Sequence, residues 1–81
     1  MPRYFFHIHN DLETIDEEGS VLPDAHAARE RGIHEARNFA AESIKSKGHL
    51  ILDHRIDIVA ETGEQIASIR FGDAVIIRSQ L

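Results

Sequence analysis

Hydrophobic and polar residues alternate with a period of two at the start of the chain. Tyr4, Phe6 and Ile8 lie two residues apart and share one face, while the residues between them form a mixed face. This period predicts a β-strand. A short second strand is predicted over residues 13–15 and pairs with the first. A turn follows it and ends at Gly19, since glycine adopts positive φ freely.

The hydrophobic period then changes to that of a helix. Small or apolar residues recur every three or four positions, at 25, 28, 32, 33, 36, 39, 40 and 44. Asp24 can cap the first turn and Gly48 can end the last, which predicts a helix from Ala25 to residue 47. Gly32 costs about 1 kcal/mol of helix propensity relative to alanine, so we expect it to lie where the helix approaches a sheet closely.

The pattern returns to strands after the helix. Residues 50–61 are predicted to form a long strand whose apolar face is interrupted by His54; that face consists of Leu50, Leu52, Ile56, Ile58 and Ala60. The turn Thr62-Gly63 leads into a return strand over residues 65–71. Residues 74–78 are predicted to form a weak last strand. The sequence therefore predicts a single α+β domain over residues 1–81. It has two layers in the order ββαββ, with one helix packed on an antiparallel sheet.

One helix covers only one side of such a sheet. The other side is expected to present five residues, which are Phe5, His7, His9, Ile51 and Val59. Exposed apolar surface on a small domain usually marks an interface, and 81 residues bury only a small core. We therefore expect a homodimer that hides these residues. The alternative is that the C-terminal tail folds across them within one chain.

Composition narrows the classes of function. The chain has nine Lys and Arg against fourteen Asp and Glu, a net charge of −5, and no cysteine. The negative charge argues against nucleic acid as a partner, and the missing cysteines exclude disulfides and thiolate zinc sites. No membrane-spanning or targeting segment is evident, and we expect a cytoplasmic protein. With no complete catalytic set and no phosphate loop, we expect no enzyme activity and no cofactor.

A His-x-His spacing is the main candidate for chemistry. His7 and His9 point to the same side of a strand and could share a metal ion, with His54 or a nearby carboxylate as a third ligand. Nothing in the sequence forces these residues to converge, so packing within the sheet face is the preferred interpretation. Asp53, Arg55 and Asp57 are similarly interpreted as a charge ladder on one strand face.

Several short motifs resemble known families. The opening Met-Pro-Arg-Tyr-Phe-Phe-His, the Asp-Glu-Glu-Gly of residues 16–19 and the Leu-Pro-Asp of residues 22–24 resemble a bacterial family of short domains of unknown function. This resemblance implies a self-contained domain and no particular chemistry. More distantly, residues 4–45 resemble the HicB-type antitoxin module, which implies a basic protein as the partner.

Three hypotheses follow from the sequence. The first is a small acidic, non-enzymatic domain for interaction and oligomerisation. The second is a HicB-like antitoxin or regulator that binds a basic protein partner. The third is a metal-binding protein that uses the His-x-His pair.

Overall fold

The computed structural model of the chain describes residues 1–80. Its elements in chain order are β1 (Arg3–His9), β2 (Glu13–Thr14), β3 (Ser20–Val21), α1 (Ala25–Lys47), β4 (Arg55–Ala60), β5 (Gln65–Arg70) and α2 (Phe71–Ala74). The predicted α+β class is confirmed, because one long helix packs on a five-stranded antiparallel sheet. No helix in the described part of the chain combines the length and apolar character needed to cross a bilayer.

The sheet is built around β1. Its strand order is β2-β1-β4-β5, and β3 also pairs with β1. Phe6 lies opposite Ile58 and Ile8 lies opposite Ile56, so the apolar faces of the two central strands are in register. This pairing places side by side a strand that precedes α1 and a strand that follows it.

Helix α1 has the predicted bounds. The Asp24 side chain accepts a hydrogen bond from the Ala27 amide at 2.8 Å. At the other end, Gly48 has φ of 72° and its amide donates to the Ile44 carbonyl at 2.9 Å. A side chain at this φ would be strained, which explains glycine there.

The core lies between α1 and the middle of the sheet. The helix contributes only small residues to it, and the sheet and α2 contribute large ones; the buried set is Tyr4, Ala28, Gly32, Ala36, Ala40, Ile56, Ile58, Ile69, Phe71 and Ala74. The bulk of this core therefore comes from the strands and Phe71, while the helix contributes close approach.

The long strand predicted over residues 50–61 begins later than expected, at Arg55. Residues 50–54 form a turn in which the His54 amide donates to the Ile51 carbonyl at 3.3 Å. The prediction that Ile51 belongs to a strand is therefore wrong. The backbone of this turn instead bonds to the start of α2: the Phe71 amide donates to the His54 carbonyl, and the Gly72 amide donates to the Leu52 carbonyl.

The weak strand predicted over residues 74–78 is also wrong. Phe71–Ala74 form the short helix α2, and residues 75–80 have no regular secondary structure. Ile76 and Ile77 are 77% and 69% exposed, so this segment does not fold across the sheet. An apolar run forms a strand only where a neighbouring strand edge accepts it, and none is paired with it here.

Candidate functional site

The side of the sheet that faces away from α1, called the open face, carries four of the five predicted interface residues. Phe5, His7 and His9 alternate along β1, and Val59 lies opposite Phe5 on β4. The Phe5 and His7 rings are stacked, with centroids 6.4 Å apart and planes 15° from parallel. Ile51 lies in the turn before β4, off this face.

Asp57 organises the polar half of the open face. Its carboxylate accepts a hydrogen bond from Ser68 Oγ at 2.7 Å, and Oδ2 lies 3.1 Å from His9 Nε2. Burial raises the pKa of Asp57, but the Ser68 hydrogen bond and the neighbouring Arg55 charge outweigh it and leave the pKa below its usual value. This half of the face is therefore satisfied internally.

The predicted ladder of Asp53, Arg55 and Asp57 forms only in part. Arg55 Nε donates to both carboxylate oxygens of Asp57, at 3.2 and 3.3 Å. Asp53 lies in the turn before the strand and instead accepts from Arg70 Nη1 at 3.2 Å. The late start of β4 is the reason, because it removes Asp53 from the strand face.

Ser68, Asp57 and His9 form a connected set of the residue types found in serine hydrolases, but in a different order. In a catalytic triad the histidine lies between the serine and the carboxylate and takes the serine proton. Here the carboxylate is the central member and the Ser68 hydroxyl donates directly to it. The arrangement places no imidazole against the serine, and we interpret it as a structural network.

The structure does not bring the three candidate metal-binding histidines together. His7 and His9 lie on the open face, whereas His54 packs edge-on against Phe71 on the core side, with ring centroids 5.7 Å apart. His54 Nε2 lies 3.7 Å from Asp11 Oδ1. Among the described residues, no three His, Asp or Glu side chains are placed to hold a metal ion.

A second surface, called the β1 groove, lies on the same side of the sheet as α1. The helix contacts β4 and β5 and leaves the β1 side of the core partly uncovered. The resulting cavity has a volume of about 490 Å³. Its lining residues are Phe6, Ile8, Thr14, Ile15, Asp16, Glu17, Glu18, Ser20, Arg31, Glu35, Phe39 and Ile56.

The floor of the β1 groove is apolar and its rim is acidic. Phe6, Ile8 and Phe39 form most of the floor, and each is only partly buried. Glu17 and Glu18 stand exposed on the rim, and among the described residues neither forms an ion pair. This combination favours a ligand with both apolar and positively charged groups.

An ion pair within α1 lies on the helix side of the groove. Arg31 Nε lies 3.4 Å from Glu35 Oε1 one turn along α1. Among the described residues that line the groove, Arg31 is the only basic one, and the acidic ones are Asp16, Glu17, Glu18 and Glu35. The net charge of the lining is therefore negative.

Asp16 holds the acidic loop against β1. Its carboxylate accepts hydrogen bonds from the amides of Phe6, Glu18 and Gly19, and its own amide donates to His7 Nδ1 at 3.1 Å. Burial raises the pKa of Asp16, but the three amide hydrogen bonds outweigh it and lower the pKa overall. The rim is therefore a structured loop.

Sequence analysis did not identify the β1 groove. The sequence shows the acidic residues of this loop. It does not show that Asp16 accepts a hydrogen bond from the amide of Phe6, ten residues earlier. The Asp-x-x-Gly spacing is the one local signal that could have indicated it, since aspartate often accepts from amides two or three residues later. The offset of α1 toward β4 and β5 leaves no local signal.

Comparison with known proteins identifies a family for this chain but assigns no activity to it. The family described as Domain of unknown function (DUF6894) matches residues 3–72, which include every strand and all of α1. No curated protein and no solved structure matches the chain.

Proposed function

Because the chain belongs to the DUF6894 family of domains of unknown function, we propose its role from geometry: a non-enzymatic interaction domain. Its recognition surface is the β1 groove, and its ligand is a polypeptide segment that carries apolar and basic side chains. The observation that carries this proposal is the partly buried apolar floor beside Glu17 and Glu18, two rim carboxylates without an ion pair among residues 1–80. The absence of cysteine fits a role in the cytoplasm.

The groove has the size and composition of a binding site. Its volume of about 490 Å³ lies within the range of roughly 300–1,000 Å³ found for ligand pockets. Phe6 and Phe39 offer aromatic area to a guest side chain, and Ile15, which is 53% exposed, would gain contacts when the groove is filled. Rim carboxylates add selectivity for positive charge and accelerate association more than they add affinity.

A peptide titration tests this proposal. The probe is a 12-residue peptide of alternating leucine and arginine, and its control replaces each arginine with glutamate. We expect amide chemical-shift changes at Ile8, Ile15 and Phe39, and at least tenfold weaker binding of the control. The double substitution of Glu17 and Glu18 to lysine should remove the difference between the peptides. Equal binding of both peptides to the native chain would contradict the proposal.

The open face supports a second interaction surface, through which two copies would form a homodimer. Phe5 and Val59 lie opposite one another and are partly exposed at its apolar end. A two-fold axis through this face would pair the same residues from each copy. Multi-angle scattering tests it: the Phe5→Ser, Val59→Ser double variant should have a lower weight-average mass than the native chain at the same concentration. Ile44→Ser on the outside of α1 is the control.

A regulator that binds a basic protein, as HicB-type antitoxins do, is the alternative biological role. The acidic rim of the β1 groove favours it, because a basic partner would be steered to this side of the molecule. The test is co-expression with the product of a neighbouring gene that encodes a small basic protein. A stable complex that the Glu17→Lys, Glu18→Lys variant cannot form would support this role, and failure to form any complex would count against it.

A further inference from the structure

The segment Val75–Arg78, called the tail, has the chemistry that the β1 groove requires. It reads Val-Ile-Ile-Arg, and its two isoleucines are among the most exposed large apolar side chains of the described chain, at 77% and 69%. We propose that the tail of one copy occupies the β1 groove of a second copy. This inference rests on the proposed function of the groove and names its ligand as part of the protein itself.

The tail begins beside Arg37, which is not among the residues that line the groove. Phe39 faces the groove, whereas Arg37 Nε donates to the Ala74 carbonyl at 2.7 Å and so marks where the tail begins. Residues two apart on an α-helix are about 200° apart around its axis. The tail therefore begins on a different flank of α1 from the groove.

This placement makes it difficult for the tail to fill the groove of its own chain. Ile77 stands three residues beyond Ala74, a reach of at most about 11 Å in a fully extended chain. A helix with its side chains is about 10–12 Å across, and the path around it is longer. While Ala74 stays bonded to Arg37, this short reach favours a groove on another molecule.

The charges of the two surfaces are complementary. Arg78 follows the isoleucines directly and forms no ion pair among residues 1–80. Glu17 and Glu18 on the groove rim likewise form no ion pair among these residues. Adjacent side chains of an extended segment point to opposite sides, so one isoleucine would lie on the floor at Phe6 and Phe39 and Arg78 would follow within reach of the rim carboxylates. If each copy places its tail in the groove of the other, the exchange is two-fold symmetric and closes as a dimer.

Sedimentation velocity over a range of concentrations tests the role of the isoleucines. The Ile76→Ser, Ile77→Ser variant should raise the dimer dissociation constant at least tenfold, because each lost side chain removes apolar burial. Ile44→Ser, which removes a 51% exposed isoleucine from the outer side of α1, should leave the constant unchanged. The unfolding midpoints of both variants should stay close to that of the native chain, since none of the three side chains is buried.

Charge reversal tests the pairing of tail and rim. Arg78→Glu should weaken self-association, and so should the Glu17→Lys, Glu18→Lys variant. An equimolar mixture of these two chains should associate again, because each mixed pair has one native tail in a native groove and one reversed tail in a reversed groove. The expected result is a heterodimer at concentrations where each chain alone is monomeric.

The outcomes separate this inference from the function on which it rests. If the native chain is monomeric at all concentrations, or if it dimerises equally well without the two isoleucines, the tail is not the ligand. The leucine-arginine peptide could still bind the groove in either case, and the interaction role would stand. If that peptide fails as well, both proposals are wrong.

Discussion

Gly32 of α1 lies directly above Ile58 of β4. A Cβ atom added to Gly32 would stand 2.5 Å from Ile58 Cδ1 and 2.8 Å from Ile69 Cδ1. Because Gly32 has only a hydrogen atom where other residues have a side chain, the helix can pack this closely on the sheet. This contact sets the height of α1 over β4 and β5, and it explains why a residue with poor helix propensity occupies the centre of the helix.

Gly32→Ala should lower the free energy of unfolding by roughly 1 kcal/mol. The new Cβ meets only the terminal methyl groups of Ile58 and Ile69, but both side chains are buried in the core and have little room to turn aside. Overpacking, which typically costs about 1–3 kcal/mol, therefore outweighs the gain of about 1 kcal/mol in helix propensity. The effect should shrink in an Ile58→Val background, because valine lacks the methyl group that the new Cβ meets. Urea unfolding of the four chains measures this coupling. Ala41→Gly on the exposed side of α1 is the control for bare propensity, and a stabilising Gly32→Ala would contradict the prediction.

Asp16→Asn should destabilise the protein by about 1–3 kcal/mol, because the carboxylate uses two oxygens to accept from three amides and the asparagine side chain has only one acceptor oxygen. The loop should also move away from β1 and weaken peptide binding in the groove. Thermal unfolding and the peptide titration measure the two effects. Glu17→Gln on the same loop is the matched control and should leave stability within about 0.5 kcal/mol of the native value.

Asp57 should make the stability depend on acid pH. Its pKa in the folded chain is below the ordinary 3.8, so the unfolded chain takes up the proton first. The stabilisation is therefore complete well above pH 4 and is lost as the pH falls toward the folded pKa. In Asp57→Asn, the decline in urea midpoint between pH 5 and pH 2 should be shallower than in the native chain. Parallel declines would show that this carboxylate contributes nothing.

The six histidines should make association increase on mild acidification. The formal charge of −5 becomes +1 when all of them are protonated, and the isoelectric point is near 5.6. Low net charge favours association and lowers solubility. Dynamic light scattering from pH 8 to pH 5 measures this. We expect the hydrodynamic radius to rise near the isoelectric point, and an unchanged radius with full solubility would contradict the expectation.

The helix could be predicted almost to the residue because its signals are local. Asp24 and Gly48 act on amides and carbonyls three or four residues away, and the stripe that contains Gly32 repeats with the helix period. The start of β4 could not be predicted in the same way. The apolar residues 50–52 fit a strand pattern, but their backbone forms a turn whose carbonyls pair with the start of α2.

The sequence by itself determined the α+β class, the bounds of α1 and the alternation that places Phe5, His7 and His9 on one side of β1, because each depends on contacts within a few residues. Only the tertiary structure decided that α1 is offset toward β4 and β5 and that Asp16 caps the amide of Phe6. Both features depend on contacts between residues far apart in the chain, and the β1 groove exists because of them.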